Sequence, residues 1–201
     1  MVLKTAILVL AAGESKRMGC AKQLLPYNNH TLITHCIKNC LNSGIGDVFC
    51  VLGANFNLVK QEVEKHKVVK IIKSTTWQKG IGESIKAGIR VINDLNEYTS
   101  VLIVLADQPF ISVLTLKKLV LHAVEYNNGI VATCYKSGMG VPAVFPSSYF
   151  SELLKIEPGQ GAKKIINTHI DTVGLVIPAI EKVDIDTHSE YKKYIEQSKR
   201  L

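Results

Sequence analysis

Three cations crowd behind a glycine near the start of the chain. In LVLAAGESKRMGCAKQLLP (8–26), Lys16, Arg17 and Lys22 follow Ala11, Ala12 and Gly13. A turn of small residues lets the backbone approach a ligand, and Gly13 can adopt a positive φ there. Backbone N–H groups in such a loop form a concave anion site, which cationic side chains complete. Taken alone, the segment reads equally well as an ordinary strand-to-helix turn with surface lysines. It matches neither GxxxxGK[ST] nor GxGxxG, so it is neither a Walker loop nor a dinucleotide fingerprint. Two carboxylates add chemistry: Asp107 in LADQP (105–109) and Asp186 in DID (184–186), each following an apolar run. Mg²⁺ takes oxygen ligands, commonly one or two carboxylates plus substrate phosphates. Brought together at the loop, these groups suffice for nucleotidyl or phosphoryl transfer, where catalysis is mostly positioning and charge neutralisation. Separately, Asp107 would open a turn before Pro109 and Asp186 would cap the last helix.

The elements that must carry these groups alternate. The continuous apolar run at 5–11 reads as a strand buried on both faces, 47–53 as a second buried strand, 68–73 as a third strand, and 100–106 as the most hydrophobic strand of the chain. Between and after them, 31–44, 57–66, 82–95 and 112–126 have helical spacing, the last opened by a serine cap and the first stopped by Gly44. Beyond residue 126 the pattern loosens. Strands are expected at 129–135, 141–146 and 172–178, and helices at 161–169 and 188–199. Pro142 and Pro146 place 141–146 at a sheet edge. Alternation over the first part of the chain requires right-handed parallel crossovers, hence an α/β sandwich with a mostly parallel central sheet. Ligands in such folds sit at the carboxyl ends of the strands, which is where the glycine loop and Asp107 fall. With no internal repeat or linker, 1–201 reads as one domain.

Composition narrows the function class. The chain is 47% hydrophobic and 20% charged, which supports a sizeable core and not disorder. A net charge of +7 suits anionic partners, but there is no basic run and only 6% aromatics, so nucleic acid is not expected. No stretch approaches the length of a membrane span, and the apolar start lacks the basic flank of a signal peptide. Cys20, Cys36, Cys40, Cys50 and Cys134 form no CxxC, which fits a reducing cytoplasm. Cys36 and Cys40, with His35 beside them, share a helix face. They read as small buried apolar residues before they read as metal ligands.

LAAGESKRMGCAKQLLP resembles the LAxGxSxRMGxxKxLLP signature of the MobA-like nucleotidyltransferases. Within that family it is most similar to the molybdenum-cofactor cytidylyltransferase (MocA-like) branch, where the loop reads Ala-Gly. GIGESIKAGI (80–89), LADQP, GVPAVF (140–145), GQGAKKII (159–166) and DIDT (184–187) resemble further motifs, so the likeness runs along nearly the whole chain. It implies a three-layer α/β/α sandwich of the nucleotide-diphospho-sugar transferase, Rossmann-like type. It also implies a Mg²⁺-dependent transfer of CMP from CTP to molybdopterin cofactor with release of pyrophosphate.

By resemblance, Leu10, Ala11, Ala12 and Gly13 would pack along the base and ribose, with Ser74, Gly80 and Ser84 near the nucleotide. Arg17 and Lys22 would bind the triphosphate, and with Asp107 they form the implied catalytic set; Lys22 would offset charge building at the α-phosphorus. Asp107 and Asp186 would hold Mg²⁺. Gln108, Pro109, Gly140, Pro142 and Gly161 would face the acceptor. Four positions depart from the family pattern: Ser74 for asparagine, Gln160 for aspartate, Lys163 for arginine and His188 for proline. Of these, Gln160 and Lys163 fall in the acceptor region, and lysine lacks arginine's two-pronged grip on phosphate. The implied partners are CTP or another triphosphate, a molybdopterin-type acceptor, and a recipient molybdenum hydroxylase or its chaperone. Two other readings stand beside this one. One is the same fold acting on another triphosphate or acceptor, such as a sugar 1-phosphate; the other is a cofactor carrier without turnover.

Overall fold

The computed structural model describes residues 4–126, 129–180, 184–185 and 187–198. Strand β1 (Thr5–Ala11) leads through two 3₁₀ turns, Lys16–Met18 and Lys22–Leu24, to a small hairpin of β2 (Pro26–Tyr27) and β3 (His30–Thr31). Helix α1 (Leu32–Asn42) then precedes β4 (Val48–Leu52), α2 (Phe56–Val63) precedes β5 (Lys70–Lys73), and α3 (Ile81–Asp94) precedes β6 (Ser100–Leu105). Helix α4 (Val113–Glu125) is followed by β7 (Val131–Tyr135), β8 (Gly138–Pro146), α5 (Phe150–Lys155), α6 (Lys163–Thr168), β9 (Gly174–Val176) and α7 (His188–Ser198).

The main sheet has the order β5-β4-β1-β6-β8-β7-β9. Its first four strands are parallel; β8 runs antiparallel to both β6 and β7, and β9 is parallel to β7. Strand β1 explains the unbroken apolar runs. Its Ala6, Leu8 and Leu10 enter one buried layer with Ile85, Ile89 and Ile92 of α3. Its Ile7, Val9 and Ala11 enter the opposite layer with Ile33 and Ile37 of α1 and Leu116 and Leu119 of α4. Both faces are covered, so polar side chains are confined to the strand's first residue, where Thr5 Oγ1 and Ser100 Oγ share a hydrogen bond at 2.7 Å. The result is the mostly parallel three-layer sandwich that the alternation requires. The caps are local chemistry: Thr31 accepts from Thr34 N–H and Ser112 from Thr115 N–H, each at 3.2 Å.

The expectation of an edge strand at 141–146 is overturned, because β8 lies between β6 and β7. A register shift makes this tolerable. Ala132 pairs with Ala143 but Thr133 pairs with Gly140, so Val141 and Pro142 fall outside the ladder, where a proline's missing N–H costs nothing. Their carbonyls accept from Tyr135 Oη at 2.9 Å and Thr133 Oγ1 at 2.6 Å. The hairpin and α5 were not expected from the sequence. The hairpin turn is Asn28-Asn29, both at positive φ, a pairing that asparagine tolerates. Among the described residues no helix is long and apolar enough to cross a membrane.

Candidate active site

A cavity of about 430 Å³ opens over the carboxyl ends of β1 and β6, within the ~300–1,000 Å³ usual for small-molecule sites. Leu10, Ala11, Ala12, Gly13, Lys22, Gly80, Ser84 and Asp107 all line it. These are the sequence-derived nucleotide and catalytic positions that the fold brings together, from β1 and its loop, the Lys22–Leu24 turn, the start of α3 and the end of β6. Opposite the glycine loop stands the first turn of α3, braced by Gly82 N–H donating to Pro158 O at 2.9 Å.

Lys22 and Asp107 meet at the cavity's base. Lys22 Nζ lies 2.6 Å from Asp107 Oδ2 and 3.2 Å from Ile185 O, and both side chains are mostly enclosed, at 14% and 21% exposure. Charge-assisted hydrogen bonds of this length are among the strong ones. The segment around residue 185 is drawn to the same place: Ile185 N–H donates to Asp107 O at 3.1 Å, and Gln108 Nε2 donates to Asp184 Oδ1 at 2.8 Å. Asp186, the other expected metal ligand, lies outside the described residues.

Ser15 and Gly19, at φ 61° and 62°, are the left-handed residues of the loop, and the freedom that Gly13 has for a positive φ is not used. A serine tolerates this conformation when its neighbours hold it, and its Oγ accepts from Lys22 N–H at 3.3 Å. Lys16 lines the cavity beside Glu14, with its Nζ 3.4 Å from Glu14 Oε2. Arg17, in the same turn, is exposed and is not part of the lining. Ser74 is buried at the end of β5, its N–H donating to Leu52 O at 2.8 Å, and it too stands outside the lining.

The expected acceptor positions are more dispersed. Gln108 and Pro109 are buried in the turn after Asp107; Gly140 and Pro142 belong to β8. Gly161 approaches the cavity indirectly, with Ile81 of the lining as its neighbour. Of the departures noted above, His188 gains a defined contact: its Nε2 donates to Met18 O at 2.9 Å, tying α7 to the glycine loop. Cys36 and Cys40 are buried in the core beside Cys50. A hydrogen bond with Cys36, then burial, pushes the Cys40 thiol up; burial does the same to Cys50. Among the described residues no cluster of three His, Cys, Asp or Glu side chains is placed to hold a metal.

Several lining residues went unnoticed in the sequence, Trp77 and Gln23 among them. Trp77, the only tryptophan, forms one wall. Gln23 sits beneath the loop, its Nε2 within 3.0 Å of Ala11 O and 2.8 Å of Gly13 O. The only signal for either was its position, Gln23 directly after Lys22 and Trp77 just before the glycines of α3.

Comparison with known proteins bears on the family and the fold. A family model described as the MobA-like NTP transferase domain matches residues 7–173. The chain is 33% identical over 139 residues to nicotine blue oxidoreductase of Paenarthrobacter nicotinovorans, spanning 68% of this chain and 64% of that protein. To the purine catabolism protein PucB of Bacillus subtilis it is 28% identical over 195 residues, spanning 90% and 91%. A solved nucleotidyl transferase from Methanothermobacter thermautotroptrophicus shares the fold with a TM-score of 0.82 and 22% identity, covering 98% of each chain. The manganese complex of Rv0371c from Mycobacterium tuberculosis shares it with a TM-score of 0.78 and 22% identity, covering 96% of this chain and 98% of that one.

Proposed function

The chain belongs to the MobA-like NTP transferase family, and from that premise we propose a Mg²⁺-dependent transfer of CMP from CTP to a molybdopterin-type acceptor. The observation that carries the reading is the Lys22–Asp107 pair, 2.6 Å apart at the base of a cavity walled by the glycine loop. In this reaction an acceptor phosphate oxygen bonds to the α-phosphorus as the α–β phosphoanhydride bond breaks, and pyrophosphate leaves. The attacking group belongs to the substrate, so no protein nucleophile is required. Lys22 holds a positive charge beside the reacting phosphorus, and Asp107 and Ile185 O hold Lys22 in place. A preorganised charge of this kind needs no reorganisation as the transition state forms.

The donor set fits Mg²⁺. Asp107 offers a hard carboxylate at the strand end, and Mg²⁺ is ordinarily held by one or two carboxylates plus phosphate oxygens. Asp107, with Asp186, would hold the ion. When bound, Mg²⁺ neutralises phosphate oxygens and favours departure of pyrophosphate. The solved relative with manganese supports a divalent ion at this fold. The five free thiols suit a reducing cytoplasm, and residues 1–201 are proposed to act as one domain. A molybdenum hydroxylase or its chaperone is the proposed recipient of the product.

The 33% likeness to a protein named an oxidoreductase favours one second reading, a redox enzyme. The absence of a GxGxxG fingerprint in the sequence weighs against it. One titration separates the two. Calorimetry with CTP, ATP, GTP and UTP, each with and without Mg²⁺, and with NADH and NADPH, should give selective, Mg²⁺-dependent CTP binding. Preference for another triphosphate would change the substrate and keep the reaction class. Binding of a nicotinamide dinucleotide alone would replace the proposal with the redox reading.

A further inference from the structure

Resting on the nucleotidyltransferase reading, we propose that Gln23 is a positioning residue that shapes the nucleotide loop from behind. Three successive loop carbonyls are claimed by protein donors. Gln23 Nε2 donates to Ala11 O and Gly13 O, at 3.0 and 2.8 Å, and Ala54 N–H donates to Ala12 O at 3.0 Å. Among the described residues no acceptor takes the N–H groups of Gly13, Glu14 or Ser15. The loop thus keeps its amide donors for the cavity and spends its acceptors on the protein, the polarity an anionic ligand requires.

The side chain that does this is only 3% exposed, and its Oε1 has no hydrogen-bond partner. A buried amide oxygen left unsatisfied is unfavourable and needs a reason. Here the reason is geometric. Both carbonyls need a donor, and the opposite amide orientation would set Oε1 against two carbonyl oxygens. A leucine would fill the space and supply neither donor. The placement also couples the loop to the reacting end of the site, because Lys22 and Gln23 share the Lys22–Leu24 turn. Lys22 reaches forward to Asp107 while Gln23 reaches back to the loop. Gln23 touches no reacting atom; it acts through the backbone of Ala11 and Gly13.

The test compares wild type, Gln23→Leu and Gln23→Glu by CTP calorimetry in Mg²⁺ and by thermal unfolding. Loss of two hydrogen bonds should weaken CTP binding by about 10-fold or more in Gln23→Leu, with the unfolding midpoint lowered by a few degrees and the fold retained. Gln23→Glu keeps the shape, and its carboxyl donates only when protonated. Its defect relative to wild type should therefore be largest near about pH 8.5 and shrink toward about pH 6. Glu14, Lys16, Lys22 and Asp107 line the same cavity and are present in both proteins, so the ratio isolates position 23. Folded Gln23→Leu binding CTP as wild type does would overturn the inference; so would a pH-independent defect in Gln23→Glu. Should the leucine variant fail to fold, the glutamate series decides. Wild type binding no triphosphate would overturn the functional reading itself, and this inference with it.

Discussion

The two ends of the chain build the site in different ways. Every residue lining the cavity comes from the first 107 positions: the ends of β1 and β6 with the loops that follow them, the turn at Trp77 and Gln78, and the first turns of α1 and α3. The part beyond residue 129 contributes braces. Pro158 O holds the first turn of α3, Ile185 O holds Lys22, and His188 and Tyr191 of α7 reach Met18 O and Pro26 O. Its own packing near the site is a small cluster of Met18, Tyr27, Leu32 and Ile185, flanked by Tyr191 and Tyr194. A doubly covered parallel sheet fixes its strand ends regardless of which side chains follow them. A brace depends on a few individual bonds. Chemistry placed on the strand ends is therefore held rigidly, and the later segment can vary and tune what approaches it.

The largest expected effect lies where the two parts meet. Lys22→Ala removes the bond to Asp107 and the bond to Ile185 O together. Turnover should fall by about 10²-fold or more, as loss of one preorganised charge contact does. Asp107→Ala should abolish turnover and weaken Mg²⁺-dependent CTP binding with the fold intact. Pyrophosphate release measured at saturating CTP checks both, and an unchanged rate in either variant would remove that residue from the mechanism.

A pair of glycines separates rigidity from binding within the first part. A Cβ on Gly53 would lie 2.6 Å from Trp77 Cγ and 2.7 Å from Ala12 O. Neither is the free end of a flexible chain, so Gly53→Ala should cost about 1–3 kcal/mol of stability, as overpacking does, and displace one cavity wall. A Cβ on Gly13 meets nothing within 4 Å. Gly13→Ala should leave stability within about 0.5 kcal/mol yet weaken CTP binding, because it adds bulk to a loop that lines the cavity. Denaturant unfolding beside CTP titration reads both. If Gly53→Ala were as stable as Gly13→Ala, the strand ends would not be held as tightly as argued.

This contrast also governs what the sequence disclosed. Strands β1, β4 and β6 were legible because burial on both faces leaves a nearly uninterrupted apolar run, and Gly13, Lys22 and Asp107 were legible because they follow such runs. Strand β8 misled, since Pro142 signals an edge unless a register shift removes it from the ladder. Such a shift depends on the partner strand, which periodicity along one chain does not encode. Gln23 was missed for a related reason. Its role is a pair of side-chain bonds to backbone carbonyls, and no residue spacing announces where a carboxamide will find two carbonyls. A positive φ fell to Ser15 and not to Gly13 because the turn's geometry, and not the smallest residue in it, chose the position.

The smallest expected effect tests how the turn after Asp107 is held from the first part of the chain. His35 on α1 lies with Nε2 3.0 Å from Pro109 O, and since a carbonyl only accepts, the ring must donate. Burial is the main influence lowering its pKa below the ordinary histidine value, opposed by that bond; burial likewise lowers His66. A depressed folded pKa means that the unfolded chain binds the proton more readily. Stability from these two groups is thus complete above about pH 6.5 and declines as pH falls below it. The thermal midpoint should drop by a few degrees between about pH 7.5 and 5.5, and less in His35→Gln, which keeps an N–H for Pro109 but cannot charge. Adding His66→Gln should flatten most of what remains. If the double variant lost as much stability on acidification as wild type, the cause would lie in other groups. The Pro109 turn would then owe its position to the core beneath it and not to the His35 bond.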